Sequence, residues 1–158
     1  MSEKQPKNRT QSLSSTDKII GWREFAALPD LDISRIKIKI DTGARSSALH
    51  AFNIRERSQD GKRIVRFQVH PQQRDSQTTV TTEAELLEYR QIRNSGGKAQ
   101  LRPVIKTNIL VGTEIWPIEL SLTDRDVMGF RMLLGRQGVR NKFLVNPGKS
   151  FLLSSRKA

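Results

Sequence analysis

The stretch Ile36-Lys37-Ile38-Lys39-Ile40-Asp41-Thr42-Gly43-Ala44 decides the fold of this 158-residue chain. Its first five residues alternate isoleucine with lysine, which is typical of a β-strand with one face in a core. The strand ends at Asp41, and the hydroxyl residue and glycine that follow let backbone N–H groups approach its carboxylate. The stretch therefore predicts a rigidly held carboxylate that is suited to activating water. The alternative is an Asx-type turn that caps the strand.

Short apolar segments bounded by turn signals recur along the chain, and several of them alternate with period two. They predict strands over residues 19–22, 36–40, 64–69, 104–111, 115–122 and 128–134. The turn signals Asp60-Gly61 and Gly112-Thr113 separate some of these segments. Residues 83–93 fit a helix by composition and a strand by position, so both remain open. Short strands at this spacing predict an all-β domain that is closed or nearly closed.

The length and composition predict one globular domain over residues 18–158 behind a polar leader over residues 1–17. The chain has no cysteine, which excludes disulfides, thiolate zinc sites and cysteine nucleophiles. No apolar run reaches the ~18 residues that a membrane helix needs. We therefore expect a cytoplasmic protein without a membrane partner.

The formal net charge of +12 predicts an acidic partner. Nucleic acid, the ribosome and an acidic polypeptide all fit, because each carries dense negative charge. The lysines and arginines are spread over several segments rather than gathered in one block, so ordinary solvated strand faces are the alternative explanation.

A second motif, Met132-Leu133-Leu134-Gly135-Arg136, completes a resemblance. A strand ending in Asp-Thr-Gly-Ala, followed by hairpins and then by Leu-Leu-Gly-Arg, resembles the retropepsin-like aspartic proteases. The chain is still more similar to the bacterial family often labelled "ATP-dependent zinc protease", which is associated with RimK-type glutamate ligases. This similarity extends from Ile20 to Leu153, through segments 21–24, 40–51, 102–105, 122–126 and 130–136.

The resemblance implies an all-β, retropepsin-like closed β-barrel with at most one or two short helices. It also implies an aspartic peptidase site at Asp41, Thr42 and Gly43. It implies that Thr42 braces paired loops, and that Ala44, Leu133, Leu134, Gly135 and Arg136 support the site from below. The aspartic mechanism needs two carboxylates that share a proton across a water. Because the chain has one Asp-Thr-Gly, we expect a homodimer that sets Asp41 against its symmetry mate.

The chain departs from the retroviral pattern after the Asp-Thr-Gly-Ala. Retroviral members carry a second aspartate there, which pairs with the arginine after Leu-Leu-Gly. Here the position is Arg45, so Arg136 must find another acid, and Asp124 and Asp126 are the candidates.

The chain offers few ligands for a metal or a nucleotide. A zinc site usually takes three or four ligands, and only His50 and His70 are available besides carboxylates. His50 near the catalytic turn fits a hydrogen-bonded structural role better. Gly148-Lys149-Ser150 resembles the end of a phosphate loop, but Phe143 stands where the first glycine belongs. We therefore expect no cofactor and no bound metal.

Together these features predict an aspartic endopeptidase acting on acidic or glutamate-rich segments, such as a glutamylated protein tail. The expected substrate-binding residues share a guanidinium, which engages carboxylates bidentately: Arg45, Arg93, Arg102, Arg125 and Arg131. The alternative is a non-enzymatic basic β domain that binds RNA or the ribosome. A third interpretation is a zinc-dependent peptidase.

Overall fold

A computed structural model describes residues 18–73, 75–94, 96–125 and 129–155. Almost all regular structure is extended: β1 (Lys18–Gly21), β2 (Arg23–Leu28), β3 (Ile33–Asp41), β4 (Ser47–His50), β5 (Phe52–Gln59), β6 (Lys62–Val69), β7 (Val80–Glu85), β8 (Glu88–Arg93), β9 (Ala99–Val111), β10 (Glu114–Thr123), β11 (Met132–Gly135) and β12 (Phe143–Asn146). Within the described residues, helix is confined to a 3-10 turn, Pro29–Leu31, and a short α1, Arg136–Val139. The predicted leader lies outside these residues.

The main sheet closes on itself. Its strands follow the order β10-β4-β11-β3-β2-β9, and β9 pairs with β10 to complete the circle, while β8 adds to the outer edge of β9. Closure removes sheet edges, which otherwise invite pairing with other chains. The predicted all-β closed barrel with one or two short helices is confirmed.

The barrel interior is filled by the apolar faces that the alternating patterns predict. Ile36, Ile38 and Ile40 of β3 are buried, and their strand neighbours Lys37 and Lys39 are only partly covered. On β10 the buried face consists of Trp116, Ile118, Leu120 and Leu122. All of β11 is buried because it lies between β3 and β4. Of the predicted 128–134 strand, Met128 lies outside the described residues.

A separate sheet of three strands, in the order β5-β6-β7, adjoins the barrel. Asp60 and Gly61 connect β5 to β6 with φ values of 54° and 79°, the left-handed backbone that a two-residue hairpin turn requires. The open choice over residues 83–93 resolves as β7 and β8, with Leu86 buried at the break between them. Tertiary pairing therefore overrides the helix propensity of this segment.

The C-terminal segment is tied to the barrel by one buried carboxylate. Glu24 is 0% exposed and accepts hydrogen bonds from the backbone N–H groups of Gly21 (2.7 Å), Leu152 (2.9 Å) and Ser154 (3.0 Å). The Leu153 N–H and the Ser154 hydroxyl also donate to it. Hydrogen bonds of this number compensate the cost of burying the charge.

Two further predictions can be compared with the described residues. The segment that resembles a phosphate loop forms a turn, in which the Gly148 N–H donates to the Asn146 side chain at 2.9 Å. None of the described helices has the length and hydropathy that crossing a bilayer would demand.

Candidate active site

Asp41 lies at the carboxyl end of β3, beside the end of β11. The two strands run parallel, with Leu134 opposite Ile40 and Gly135 opposite Asp41. Since parallel neighbours end at the same edge of a sheet, the two motifs that are distant in sequence meet here. This placement is the one that the resemblance predicts for the Leu-Leu-Gly segment.

The turn after β3 fixes one oxygen of the carboxylate. The Gly43 N–H donates to Asp41 Oδ1 at 3.0 Å, and the Ala44 N–H donates to the Asp41 carbonyl at 3.2 Å. A Cβ at Gly43 would lie 3.3 Å from Oδ1, so glycine gives the backbone its close approach. Asp41 is half-buried, and Oδ2 accepts no hydrogen bond from a described residue. The Asx-type turn therefore exists, and it leaves one oxygen available for a water.

The turn is braced by the residues that follow β11. The Arg136 guanidinium donates to the Thr42 carbonyl at 2.9 Å, and its backbone N–H donates to the Ala44 carbonyl at 2.7 Å. Asp124, one of the two candidate acids for Arg136, forms no ion pair with it, and the guanidinium donates to this backbone oxygen instead. Asp126, the other candidate, lies outside the described residues. Retroviral members have an aspartate at the position of Arg45 as the partner of this arginine. Here the Thr42 carbonyl accepts the Arg136 hydrogen bond instead.

Gly135 is required by a close approach between two chain segments. A Cβ there would lie 2.4 Å from the Ser46 carbonyl oxygen, too near for any side chain. Its N–H donates to the Ser47 hydroxyl at 3.0 Å. Loop 42–47 and the end of β11 are therefore in direct contact, and each fixes the position of the other.

A cleft of about 1420 Å³ opens beside the Asp41 turn. Ala44, Ala48 and Leu133 form a small apolar cluster separate from the barrel core, and all three line the cleft. The remaining lining comes from loop 41–46, from β8 and the loop after it, and from Arg102, Glu119, Arg125 and Gln137. The cleft therefore contains the Asp41 carboxylate and a small apolar surface.

The charged lining of this cleft is mostly positive. Arg90 is neutralised by Glu119, at 2.9 Å, and by Glu88. The other cations of the lining form no ion pair with a described carboxylate: Arg45, Arg93, Lys98, Arg102 and Arg125. A concave surface with one sign of charge concentrates counter-ions and ligands of the opposite sign.

The structure brings most of the predicted substrate-binding arginines together. Arg45, Arg93, Arg102 and Arg125 all line the cleft with Asp41. Arg131 does not line it, and its buried Nε has no hydrogen-bond partner among the described residues. Arg131 therefore has no geometric support as a cleft residue.

The predicted structural role of His50 has one contact in its favour. Its Nε2 lies 3.2 Å from the Asp124 carbonyl, while its buried Nδ1 has no partner among the described residues. In the described part of the chain, no three His, Asp or Glu side chains are grouped closely enough to hold a metal ion. His50 thus has no companion ligands in the described structure.

Three further polar residues shape the site, in roles that no sequence motif indicates. Ser47 accepts the Gly135 N–H beside the Asp41 turn, and Gln100 and Thr123 hydrogen-bond beside Arg102. Ser47 is adjacent to the Asp-Thr-Gly-Ala motif, but nothing in the sequence shows that its hydroxyl would reach β11. Gln100 and Arg102 are two residues apart on β9, so both side chains lie on the same face of the strand.

Comparison with known families decides the classification. A family model for RimB-like proteins, described as the retropepsin-like aspartic endopeptidase RimB, matches residues 19–156. The chain belongs to this RimB-like family. Membership agrees with the Asp-Thr-Gly turn, the closed barrel and the Leu-Leu-Gly segment beside it, and it supports assignment as a peptidase.

Curated relatives carry a different name. The chain is 44% identical over 135 residues to a "probable alpha-L-glutamate ligase" of Parasynechococcus marenigrum, an alignment that covers 85% of this chain and 29% of the relative. A relative of the same name from Shewanella pealeana is 41% identical, over 91% of this chain and 31% of the relative. The chain therefore spans about three tenths of the length of the curated relatives it matches.

A solved structure has the same fold. A Legionella pneumophila protein of unknown function superposes with a TM-score of 0.73 at 30% identity. The match covers 87% of this chain and 99% of that one.

Proposed function

We propose that this protein is an aspartic-type endopeptidase that cleaves acidic, glutamate-rich polypeptide segments. The catalytic unit is a homodimer in which two Asp41 carboxylates face one another. The observation that carries the proposal is the position of Asp41: a carboxylate with one oxygen fixed and the other open, at the wall of a cleft rich in unpaired cations.

The two carboxylates divide the chemistry. One ionised Asp41 takes a proton from a water held between the pair, and the water oxygen attacks the peptide carbonyl carbon. The partner's protonated carboxyl gives its proton to the carbonyl oxygen, which produces a neutral tetrahedral diol. When the diol collapses, the C–N bond breaks, the first Asp41 gives its newly acquired proton to the nitrogen, and one diol hydroxyl returns a proton to the partner's carboxylate. The products are one acid and one amine, and the pair again holds one proton. Two carboxyls about 3 Å apart cannot both ionise, so the pair holds the one proton that this sequence requires.

The surroundings of Asp41 support this division of roles. The Gly43 N–H and the Arg136 clamp on Thr42 hold the turn in place, so little reorganisation is needed during the reaction.

Among the described strands only β9 pairs with β8, and residues 90–93 of β8 line the cleft. An extended peptide can therefore add beside β8 through backbone hydrogen bonds.

Two observations support an acidic substrate. The first is the set of unpaired cations in the cleft, together with the net charge of +12. The second is that relatives named as probable alpha-L-glutamate ligases contain a region homologous to this domain. A ligase that adds glutamate makes glutamate-rich chains, and a peptidase of this charge is suited to cutting them.

The substitution Asp41→Asn tests the mechanism. Asn keeps the shape of the side chain and an oxygen to accept the Gly43 N–H, but it removes the base. We expect cleavage of a glutamate-rich peptide to fall by at least about 10²–10⁴-fold with unchanged circular dichroism. A chelator should leave the wild-type rate unchanged. Retained activity in Asp41→Asn, or activity that follows added zinc, would contradict an aspartic mechanism.

Substrate polarity has its own test, with a glutamate-rich peptide and its glutamine isostere. We expect faster cleavage of the glutamate peptide at low salt, with a smaller difference as salt rises, because exposed charges are screened beyond ~8 Å at physiological ionic strength. Equal rates for both peptides between about pH 5 and 8 at low salt would contradict the acidic substrate and leave the Asp41 pair standing.

A further inference from the structure

Arg102 is buried in the cleft wall without a carboxylate. The residue is 6% exposed, and no described Asp or Glu lies within ion-pair distance of it. Arginine is almost never buried unless paired, because removing its charge from water is costly. Burial lowers the pKa of Arg102 below its ordinary value, and the positive charge of Arg125 lowers it further, against a smaller opposing effect of Asp124. Asp124 acts on Arg102 only at a distance, and no described carboxylate pairs with the guanidinium.

A short chain of hydrogen bonds orients this guanidinium. Arg102 Nε donates to Gln100 Oε1 at 2.8 Å, and the Thr123 hydroxyl donates to the same oxygen at 3.1 Å. The Arg125 backbone N–H in turn donates to Thr123 Oγ1 at 3.1 Å. Thr123 is 1% exposed, and Arg102 and Arg125 both line the cleft.

The other cleft cations are different. Arg45, Arg93, Lys98 and Arg125 are exposed, and solvent can compensate their charges. Flexible exposed cations attract an acidic chain at long range, whereas a buried and oriented guanidinium contacts one group in a defined geometry.

We propose that Arg102, with Arg125 beside it, forms a subsite that binds one carboxylate of the substrate and sets the specificity of cleavage. The subsite deepens the proposed function and rests on it. The carboxylate comes from an acidic side chain or from the chain terminus, since both present the same two oxygens to a guanidinium fork. Gln100 and Thr123 act as positioning residues that hold the fork.

Binding to a catalytically inactive protein tests the subsite apart from catalysis. In an Asp41→Asn background, fluorescence anisotropy measures the Kd of a labelled glutamate-rich peptide and of its glutamine isostere. Arg102→Met has similar length and is apolar, and we expect it to weaken binding of the glutamate peptide at least about 30-fold. The glutamine peptide is little affected if a side chain supplies the carboxylate, and is weakened equally if the chain terminus supplies it. Arg66→Gln, which removes an exposed charge outside the cleft lining, is the control and should change binding only slightly.

Thermal unfolding of the same variants separates a binding role from a structural one. If Arg102 serves the ligand, Arg102→Met removes an uncompensated buried charge, and Tm should stay the same or rise. Arg102→Lys keeps the charge and loses the two-pronged guanidinium. For a side-chain carboxylate, the ratio of the glutamine-peptide Kd to the glutamate-peptide Kd should fall about tenfold, while the salt-dependent attraction remains. Thr123→Val keeps both arginines and breaks the hydrogen-bond chain, and it should also reduce the preference.

Peptides with free and amidated C-termini identify the source of the carboxylate. Loss of binding on amidation assigns the subsite to the chain terminus, and unchanged binding assigns it to a side chain. Unchanged Kd values of both peptides for Arg102→Lys and Arg102→Met, or an Arg102→Met protein that unfolds at lower temperature, would overturn the proposal. Arg102-dependent binding without any proteolysis by the wild type would refute the peptidase and leave the subsite intact.

Discussion

At the scale of single residues, the site depends on small groups that let backbone segments touch. Gly43 lets an N–H reach the Asp41 carboxylate, and Gly135 lets β11 lie against the Ser46 carbonyl. Arg136 then joins the two segments through the Thr42 carbonyl. The motif Asp-Thr-Gly-Ala and the motif Leu-Leu-Gly-Arg are therefore two halves of one structural unit.

Gly135→Ala should damage this unit. The new Cβ would lie 2.4 Å from a backbone oxygen that cannot rotate away, so the loop must shift. We expect a loss of about 1–3 kcal/mol in the free energy of unfolding, measured by urea denaturation, and a lower kcat. Gly148→Ala is a matched control, because its Cβ would meet nothing closer than 3.5 Å. Equal stability of the two variants would show that loop 42–47 is not held as described.

At the scale of strands and segments, alternation predicted β3 and β10 because half-buried strands show their inner face directly, and the apolar run over residues 104–111 predicted β9, but no pattern predicted the barrel strands β2 and β4. The pattern did not distinguish strand from helix over β7 and β8, because their composition also suits a helix and pairing with neighbouring strands decides their conformation. The partner of Arg136 was not predictable either, since a backbone carbonyl leaves no mark in the sequence. The cleft arginines were found by residue type, and the hydrogen-bond chain behind Arg102 was not.

Glu24 should be essential for holding the C-terminal segment, residues 152–154, against the barrel. Glu24→Gln replaces one acceptor oxygen by an NH₂ group that faces N–H donors at residues 152–154. We expect a loss of about 2–5 kcal/mol in the free energy of unfolding and faster hydrogen exchange at these amides. Glu85→Gln, at an exposed position of β7, should be neutral. Unchanged exchange in Glu24→Gln would mean that other contacts hold the segment.

At the scale of the whole molecule, association of the proposed homodimer and binding of an acidic substrate should depend on salt in opposite directions. Each subunit carries a formal net charge of +12, so the two subunits repel one another at low salt. Sedimentation equilibrium should therefore show tighter association at about 0.5 M than at about 0.05 M salt, while peptide binding weakens over the same range. A monomer at every salt and protein concentration, with activity retained, would contradict the dimer.

The most direct test of the central claim is a subunit-mixing experiment. Wild-type protein is mixed with increasing amounts of Asp41→Asn, subunits are allowed to exchange, and cleavage is measured per wild-type chain. If two Asp41 carboxylates form one catalytic unit, mixed dimers are inactive, and an equal mixture should retain about half of the activity per wild-type chain. If activity per wild-type chain stays constant at every ratio, each Asp41 acts alone, and the shared-water mechanism is wrong.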